Sequence, residues 1–159
     1  IMKYYMKSKL FKIKEDFWIQ NEENEEVFFV DNKLFAVGLQ FDLIKDEKTL
    51  YSVKETVISL LAKYQVKEGN EVVAEVNKKP SFMRDSIKIE SKYGDLNVTG
   101  DIIDHNYEIY KGSEKIARIH KEVFTFTDSY NVETDFEDEA FVLTLAVIVD
   151  DIIDKQRSK

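Results

Sequence analysis

The feature that most constrains the fold is an apolar stretch near the C-terminus, Ala140 to Val149, which Ile152 and Ile153 extend. It follows a long series of short segments that resemble strands. If the stretch is helical, nearly every face of the helix is apolar, so other protein or lipid must surround it. A membrane-spanning helix needs about 20 apolar residues, and Asp150 interrupts this stretch too early. We therefore predict a helix enclosed by the rest of the chain, and no transmembrane segment.

A strand remains an alternative for this stretch, because it contains β-branched residues and periodicity alone does not assign a short apolar run. Three features favour a helix over residues 138–155. Asp135 can cap its N-terminus, and the acidic residues that follow would lie in the positively polarised first turn. Ile152 and Ile153 continue the apolar stripe at helical spacing. Lys155 and Arg157 lie near the C-terminal end, where cations are favoured.

The rest of the chain has the pattern of an all-β domain. Aromatic and β-branched runs alternate with turn sequences such as Gly69-Asn70, Gly94-Asp95 and Gly112-Ser113, which is typical of a sheet, sandwich or barrel. An internal repeat aligns Tyr64–Ser91 without a gap on Tyr107–Thr134. Repeated units that cannot bury a face alone must stack to share a core. A repeated sheet that ends in an apolar helix predicts one domain, residues 1–159, in which the helix fills a barrel.

Charge and composition exclude several classes of protein. The chain has 23 Lys and Arg against 31 Asp and Glu, a net charge of −8, which disfavours a nucleic-acid partner. It has no cysteine, so disulfide scaffolds and thiol nucleophiles are excluded. Residues 1–14 lack the continuous apolar core of a signal peptide, and we expect a cytoplasmic protein. An acidic segment, Glu15 to Asp31, can pair with the basic N-terminal strand of the same chain or of a neighbour.

The strand ends Ala74–Lys78 and Ala117–Lys121, followed by an acidic turn and the run from Glu139 to Asp150, resemble the LURP-one-related family. That family belongs to the tubby C-terminal-like group, with phospholipid scramblases as cousins. The resemblance implies a mainly β fold, a closed antiparallel β-barrel of about a dozen strands around a central hydrophobic C-terminal α-helix. It also implies a link to membranes, because tubby-like domains bind phosphoinositide head groups. The cysteine-rich and proline-rich segments of scramblases are absent here, so lipid transport is not expected.

No residue set in the sequence specifies catalysis or a cofactor. His105 follows Asp104 in a predicted turn, where we expect it to be solvated, and no Gly-rich phosphate loop or catalytic motif occurs. The acidic residues before the helix lack calcium-loop spacing, and those after it are expected to end the helix in solvent. These residues are Asp135, Glu137, Asp138 and Glu139, then Asp150, Asp151 and Asp154. We expect no enzyme activity, no cofactor and no metal.

Basic residues are the best candidates for ligand binding. Lys78 and Lys121 share strand parity with the inward-facing residues before them, so we expect both at the rim of the barrel. Two repeat-related cations at a rim can hold an anionic head group. The alternative is that the charges only terminate strands and keep edges soluble. The predicted ligand-binding residues are Lys78, Lys79, Arg84, Arg118 and Lys121.

Three functions remain open from the sequence. The first is a binding module at the membrane surface, whose partner is an anionic phospholipid or phosphoinositide, or a phosphorylated small molecule. The second is a structural barrel with a protein partner, docked through exposed aromatics such as Phe28 or Tyr130. The third, a scramblase-like lipid carrier, requires the helix to leave the barrel, and burying each apolar side chain stabilises the closed form by about 1.5–3 kcal/mol.

Overall fold

The computed structural model describes residues 1–7, 15–33, 36–58, 61–78, 87–102, 104–123 and 128–157. Within them, twelve strands close into one antiparallel barrel in which each strand pairs with its neighbours in sequence and β1 pairs with β12. The strands are β1 Met2–Lys7, β2 Phe17–Gln20, β3 Glu26–Asn32, β4 Gln40–Lys45, β5 Lys48–Ile58, β6 Leu61–Glu68, β7 Glu71–Lys78, β8 Ile87–Ser91, β9 Gly94–Asp101, β10 Asn106–Lys111, β11 Glu114–Val123 and β12 Asp128–Thr134. The predicted barrel is confirmed.

Alternation of buried and exposed side chains explains why these segments form barrel strands. In β8, Ile87 and Ile89 are buried whereas Lys88 and Glu90 are exposed. Successive side chains of a strand point to opposite faces, so one row lines the interior and the other meets solvent. Phe28 and Tyr130 belong to the inner row and are only 2% and 5% exposed. The prediction that they form an exposed docking surface was therefore wrong.

The hairpins β6–β7 and β10–β11 have the same register. Tyr64 faces Val76 and Val66 faces Ala74, and the register shifts immediately after Val66. In β10–β11 the corresponding pairs are Tyr107 with Ile119 and Ile109 with Ala117, with the shift immediately after Ile109. Such a bulge turns two successive residues of one strand toward the same side. Accordingly, Val73 and Ala74 are both buried, as are Ile116 and Ala117.

The C-terminal helix α1, Glu139–Arg157, fills the barrel. Its side chains from Phe141 to Leu143 and from Leu145 to Ala146 have no exposed surface. An interior position on every side explains why the stretch lacks a polar face. The predicted helix is confirmed, and the strand alternative is excluded. No helix within the described residues has the length and apolarity needed to cross a membrane.

The helix begins three residues later than the predicted cap implies. The Phe141 amide donates to Asp138 Oδ1 at 3.0 Å, so Asp138 is the N-cap. Asp135 instead lies in solvent, 3.2 Å from the amino group of Ile1. Between them the Phe136 ring packs edge-on against Tyr93, with ring centroids 4.9 Å apart. This packing holds residues 135–137 outside the helix, and the prediction of Asp135 as cap was wrong.

The acidic hairpin β2–β3 pairs within the chain. Tyr5 lies opposite Gln20 and Met6 opposite Ile19, so β2 adds to the basic strand β1. The choice that the sequence left open, between this chain and a neighbour, is thereby settled for the described strands.

Candidate functional site

The end of the barrel at which α1 terminates carries two of the five predicted ligand-binding residues, Lys78 and Lys121. We call it the C-terminal rim. β7 and β11 run in the same direction and both end there, because odd-numbered strands of an up-and-down barrel are parallel to one another. Lys78 is the last residue of β7, and Lys121 lies near the end of β11, opposite Tyr130. Both lysines are half-buried, as expected where an inward-facing row meets water.

The predicted site residues do not converge on one point. β7 and β11 are four strands apart in the barrel, which is roughly 19 Å along the wall at the usual strand spacing. Arg118 is exposed on the outer wall, opposite Glu108 and Glu133 in the neighbouring strands. Lys79 and Arg84 lie outside the described residues. The rim therefore presents separated cations rather than a closed anion pocket.

Carboxylates of the helix end are half-buried at the same rim. Asp151 accepts a hydrogen bond from the Tyr64 hydroxyl at 2.8 Å and lies 2.9 Å from Lys155 Nζ. Lys155 also contacts Glu55, whose side chain is only 1% exposed and accepts the Leu39 amide at 2.8 Å. Burial lowers the pKa of Lys155, but hydrogen bonds to Asp151 and Glu55 outweigh burial and raise it. The expectation that these aspartates simply end the helix in solvent was wrong, since the Asp151 side chain is 14% exposed.

His105 is buried at this rim. It is 2% exposed, and its backbone is left-handed with a φ of 53°, a conformation in which histidine is enriched among non-glycine residues. Its Nδ1 lies 3.5 Å from Asp150 Oδ1, and its Nε2 lies 3.5 Å from the Tyr130 hydroxyl. The prediction of a solvated turn was wrong. The turn sequence identifies the connection, but only the neighbouring strand and helix decide that the ring faces inward.

Tyrosines from the wall line both ends of the helix. Burial, followed by the charge of Asp151, raises the pKa of Tyr64, and burial with the charge of Asp150 raises that of Tyr107. At the opposite end, Tyr51 and Tyr93 both donate to Asp138. These contacts fix the position of α1 along the barrel axis. The side chains of Tyr51 and Tyr93 therefore occupy the space around the N-terminal end of α1.

A cleft of about 480 Å³ on the outer wall is lined by acidic residues, including Glu68, Glu71, Glu75 and Glu90. Four carboxylates repel an anionic ligand. The cleft is therefore unsuited to the phosphate-bearing ligands that the sequence resemblance implies.

Comparison with known proteins decides the family. The sequence model of the LURP-one-related family matches residues 2–150. The chain belongs to the LURP-one-related family. A relative, the uncharacterised protein YxjI of Bacillus subtilis (strain 168), is 32% identical over 85 residues, 53% of this chain and 52% of YxjI. The match to this curated relative thus spans about half of its length.

A solved structure supports the fold of this LURP-one-related protein. The X-ray structure of a protein from Arabidopsis thaliana superposes on 95% of this chain and 90% of its own, with a TM-score of 0.67 and 18% sequence identity. At this identity the likeness concerns the fold alone. The family assignment and the barrel inferred from the sequence are both confirmed.

Proposed function

We propose that this LURP-one-related protein is a non-enzymatic, cytoplasmic binding module that attaches to anionic lipid head groups through its C-terminal rim. The observation that carries the proposal is the placement of Lys78 and Lys121 on two strands that end at the same rim. Both lysines already interact with neighbouring residues, so head groups would share or displace those contacts. The expected attachment is correspondingly reversible.

The separation of the two lysines favours a lipid surface over a single small ligand. One phosphate cannot bridge cations whose strands are roughly 19 Å apart, whereas a bilayer presents many head groups at once. Lysines near an anionic surface contribute about 1 kcal/mol each. Arg118 would then act at the periphery of the contact. Lys79 and Arg84 follow Lys78 in sequence and lie outside the described residues.

The distribution of charge supports one orientation on such a surface. The turn between β2 and β3, at the opposite end of the barrel, carries Glu22, Glu23 and Glu25 with no basic residue between them. These residues are exposed. An anionic membrane repels this turn, which favours an orientation with the C-terminal rim toward the lipid.

The proposal is tested by liposome flotation of the full chain at low and moderate salt. We compare neutral vesicles with vesicles containing phosphatidylserine or a phosphoinositide. Binding should require anionic lipid and should weaken as salt rises. The double variant Lys78→Ala/Lys121→Ala should bind roughly tenfold or more weakly, from about 1 kcal/mol per lysine.

The control variant is Lys48→Ala/Lys111→Ala, which removes the same charge from the exposed ends of β5 and β10 on the opposite side of the barrel. It should bind like the parent protein. Equal loss in the two double variants would show that net charge alone acts and would exclude the rim. Inositol trisphosphate in solution, titrated calorimetrically, tests a free phosphate ligand. Tight binding to it without vesicle binding would replace the lipid surface with a small molecule.

A protein partner is a second candidate, favoured by one observation. Trp18 on β2 is 45% exposed and lies against Phe29 of β3, with ring centroids 4.9 Å apart. Exposed tryptophan is enriched at protein interfaces. Docking of this kind should withstand salt that removes lipid binding, and Trp18→Ala should abolish it while leaving vesicle flotation unchanged.

The matched registers of β6–β7 and β10–β11 support an origin of the two hairpins by internal duplication. Identical residues at Tyr64 and Tyr107, and at Lys78 and Lys121, fall at corresponding places of the two units. In this proposal the rim lysines are two copies of one ancestral position. Exchanging residues 64–78 and 107–121 between the units should preserve a folded barrel, as measured by circular dichroism. Loss of folding in both exchanges would contradict the equivalence.

A further inference from the structure

We propose that His105, Asp150 and Asp154 form a binding site for a divalent transition-metal ion, with zinc as the best match. One ligand atom from each residue lies within 4.8 Å of the other two. The inference concerns different residues from the lipid-binding proposal and is independent of it. It departs from the expectation of no metal that the sequence alone supports.

The three ligands come from two elements that the fold holds together. Asp150 and Asp154 are one helical turn apart on α1, so their side chains share a face. His105 lies in the connection between β9 and β10, and both its backbone amide and its backbone carbonyl are hydrogen-bonded. Its amide donates to the Ile102 carbonyl at 3.0 Å, and its carbonyl accepts the Lys121 amide at 3.1 Å. The site is therefore largely formed before any ion arrives.

The imidazole is oriented as in metal sites with an outer hydrogen-bond partner. Nδ1 faces Asp150, and Nε2 faces the Tyr130 hydroxyl, whose ring lies 4.7 Å from that of His105. When Nε2 carries the ring proton, it donates a hydrogen bond to the Tyr130 hydroxyl oxygen. The lone pair of Nδ1 then points toward the two carboxylates. Ligating histidines usually make such a bond through the other ring nitrogen.

Electrostatics supply a reason for a cation here. The C-terminus of a helix is its negative pole, and carboxylates there are unfavourable. Asp151 is neutralised by Lys155 and by the Tyr64 hydroxyl. Asp150 and Asp154 lie close to His105 and already have contacts of their own, which an ion would share or replace. A divalent ion bound between them would offset both carboxylate charges and the helix dipole.

The ligand chemistry selects the ion. Imidazole nitrogen with carboxylate oxygen suits zinc and related transition metals, whereas calcium prefers six to eight oxygen ligands. Ligand atoms about 2.1 Å from one zinc ion are roughly 3–4 Å from one another. The three ligand atoms of this site lie within 4.8 Å of one another, so they must move slightly closer to bind the ion. Asp154 is half-buried, which leaves room for that movement and for water at the remaining position.

The test is a calorimetric titration of the full chain, prepared without a histidine tag, with zinc chloride and separately with calcium chloride. The parent protein should bind one zinc ion and should bind calcium more weakly. Asp154→Asn should weaken zinc binding by at least about tenfold, because even outer-shell changes cost 10–100-fold. Asp95→Asn, an exposed carboxylate in the β8–β9 hairpin at the opposite end, should bind zinc like the parent.

A spectroscopic measurement identifies the nitrogen ligand. Cobalt(II) bound to the parent should give a visible absorption band that His105→Asn, chosen because asparagine tolerates the left-handed backbone, alters or removes. If that variant fails to fold, Asp154→Asn decides alone, since its side chain lies at the edge of the core. Absence of zinc binding, calcium bound more tightly than zinc, or equal affinity in Asp154→Asn and Asp95→Asn would each overturn the site. Vesicle flotation carried out with EDTA keeps the outcome of the lipid proposal separate.

Discussion

The protein should lose stability steeply in alkaline solution because tyrosine hydroxyls are enclosed around the central helix. Tyr64 and Tyr107 are 0% and 2% exposed. Burial, and then the charges of Asp151 and Asp150, raise their pKa values above the ordinary 10. In the unfolded chain both tyrosines ionise near pH 10. The native state keeps them neutral, so it binds more protons than the unfolded state above that pH.

The direction and size of this change in the free energy of unfolding follow from proton linkage. When the native state holds the extra protons, the free energy of unfolding falls as pH rises. Each such tyrosine removes about 1.4 kcal/mol for every pH unit above about pH 10. Half of the unfolded-state hydroxyls are already ionised at pH 10, so the full slope develops only above that pH, and Tyr64 and Tyr107 together should lower the free energy of unfolding by about 2 kcal/mol between pH 10 and 11. That is a large share of the 5–15 kcal/mol that typically stabilises a domain.

The assay is urea unfolding followed by far-ultraviolet circular dichroism at several values from pH 8 to pH 11. The parent should show constant stability until the unfolded-state tyrosines ionise and a steep fall beyond. Tyr107→Phe keeps the ring and removes one titrating hydroxyl, so its slope should be shallower by about 1.4 kcal/mol per pH unit. Tyr5→Phe, half-exposed on β1, is the matched control. Stability that is flat to pH 11, or slopes that are identical in Tyr107→Phe and the parent, would refute the reasoning.

Three further perturbations have defined outcomes. Leu143→Ala should lower the free energy of unfolding in urea by about 2–5 kcal/mol, because the side chain is fully buried in the helix; a loss below 1 kcal/mol would contradict the enclosed position. Asp138→Ala should lower the thermal midpoint through loss of the N-cap, worth about 1 kcal/mol, and Glu137→Ala, exposed beside it, should not. Gly100→Ala places a Cβ 2.7 Å from the Asn106 carbonyl oxygen at a φ of +118°, so it should destabilise more than Gly69→Ala, whose added Cβ meets open space; equal losses in thermal melts would count against the close strand approach.

Much of the architecture could be predicted because its causes are local. The strands follow from alternation of apolar and polar residues, and the helix from an apolar run that has no polar face. The rim position of Lys78 and Lys121 follows from strand parity, which needs only a count along each strand. These inferences depend on residues a few positions apart. Long-range packing did not overturn them.

The errors concern residues whose environment comes from distant parts of the chain. Asp135 has the chemistry of an N-cap, but Phe136 packs against Tyr93 and delays the helix to Asp138. His105 has the sequence surroundings of a solvated turn, yet Tyr130 and Asp150 cover it. No local pattern contains the identity of those partners.

The sequence by itself determined the class of fold and the enclosed helix, because hydrophobic periodicity can be read along the chain from neighbouring residues. The family followed from the resemblance of its strand ends and C-terminal run to known sequences. Only the tertiary structure decided which charged groups meet. Barrel closure brings β9–β10, β11 and the end of α1 to one rim, placing His105 beside Asp150 and Glu55 beside Lys155. Contacts between side chains so far apart in sequence depend on strand register and on the depth of the helix in the barrel, and both are set by packing the whole core at once.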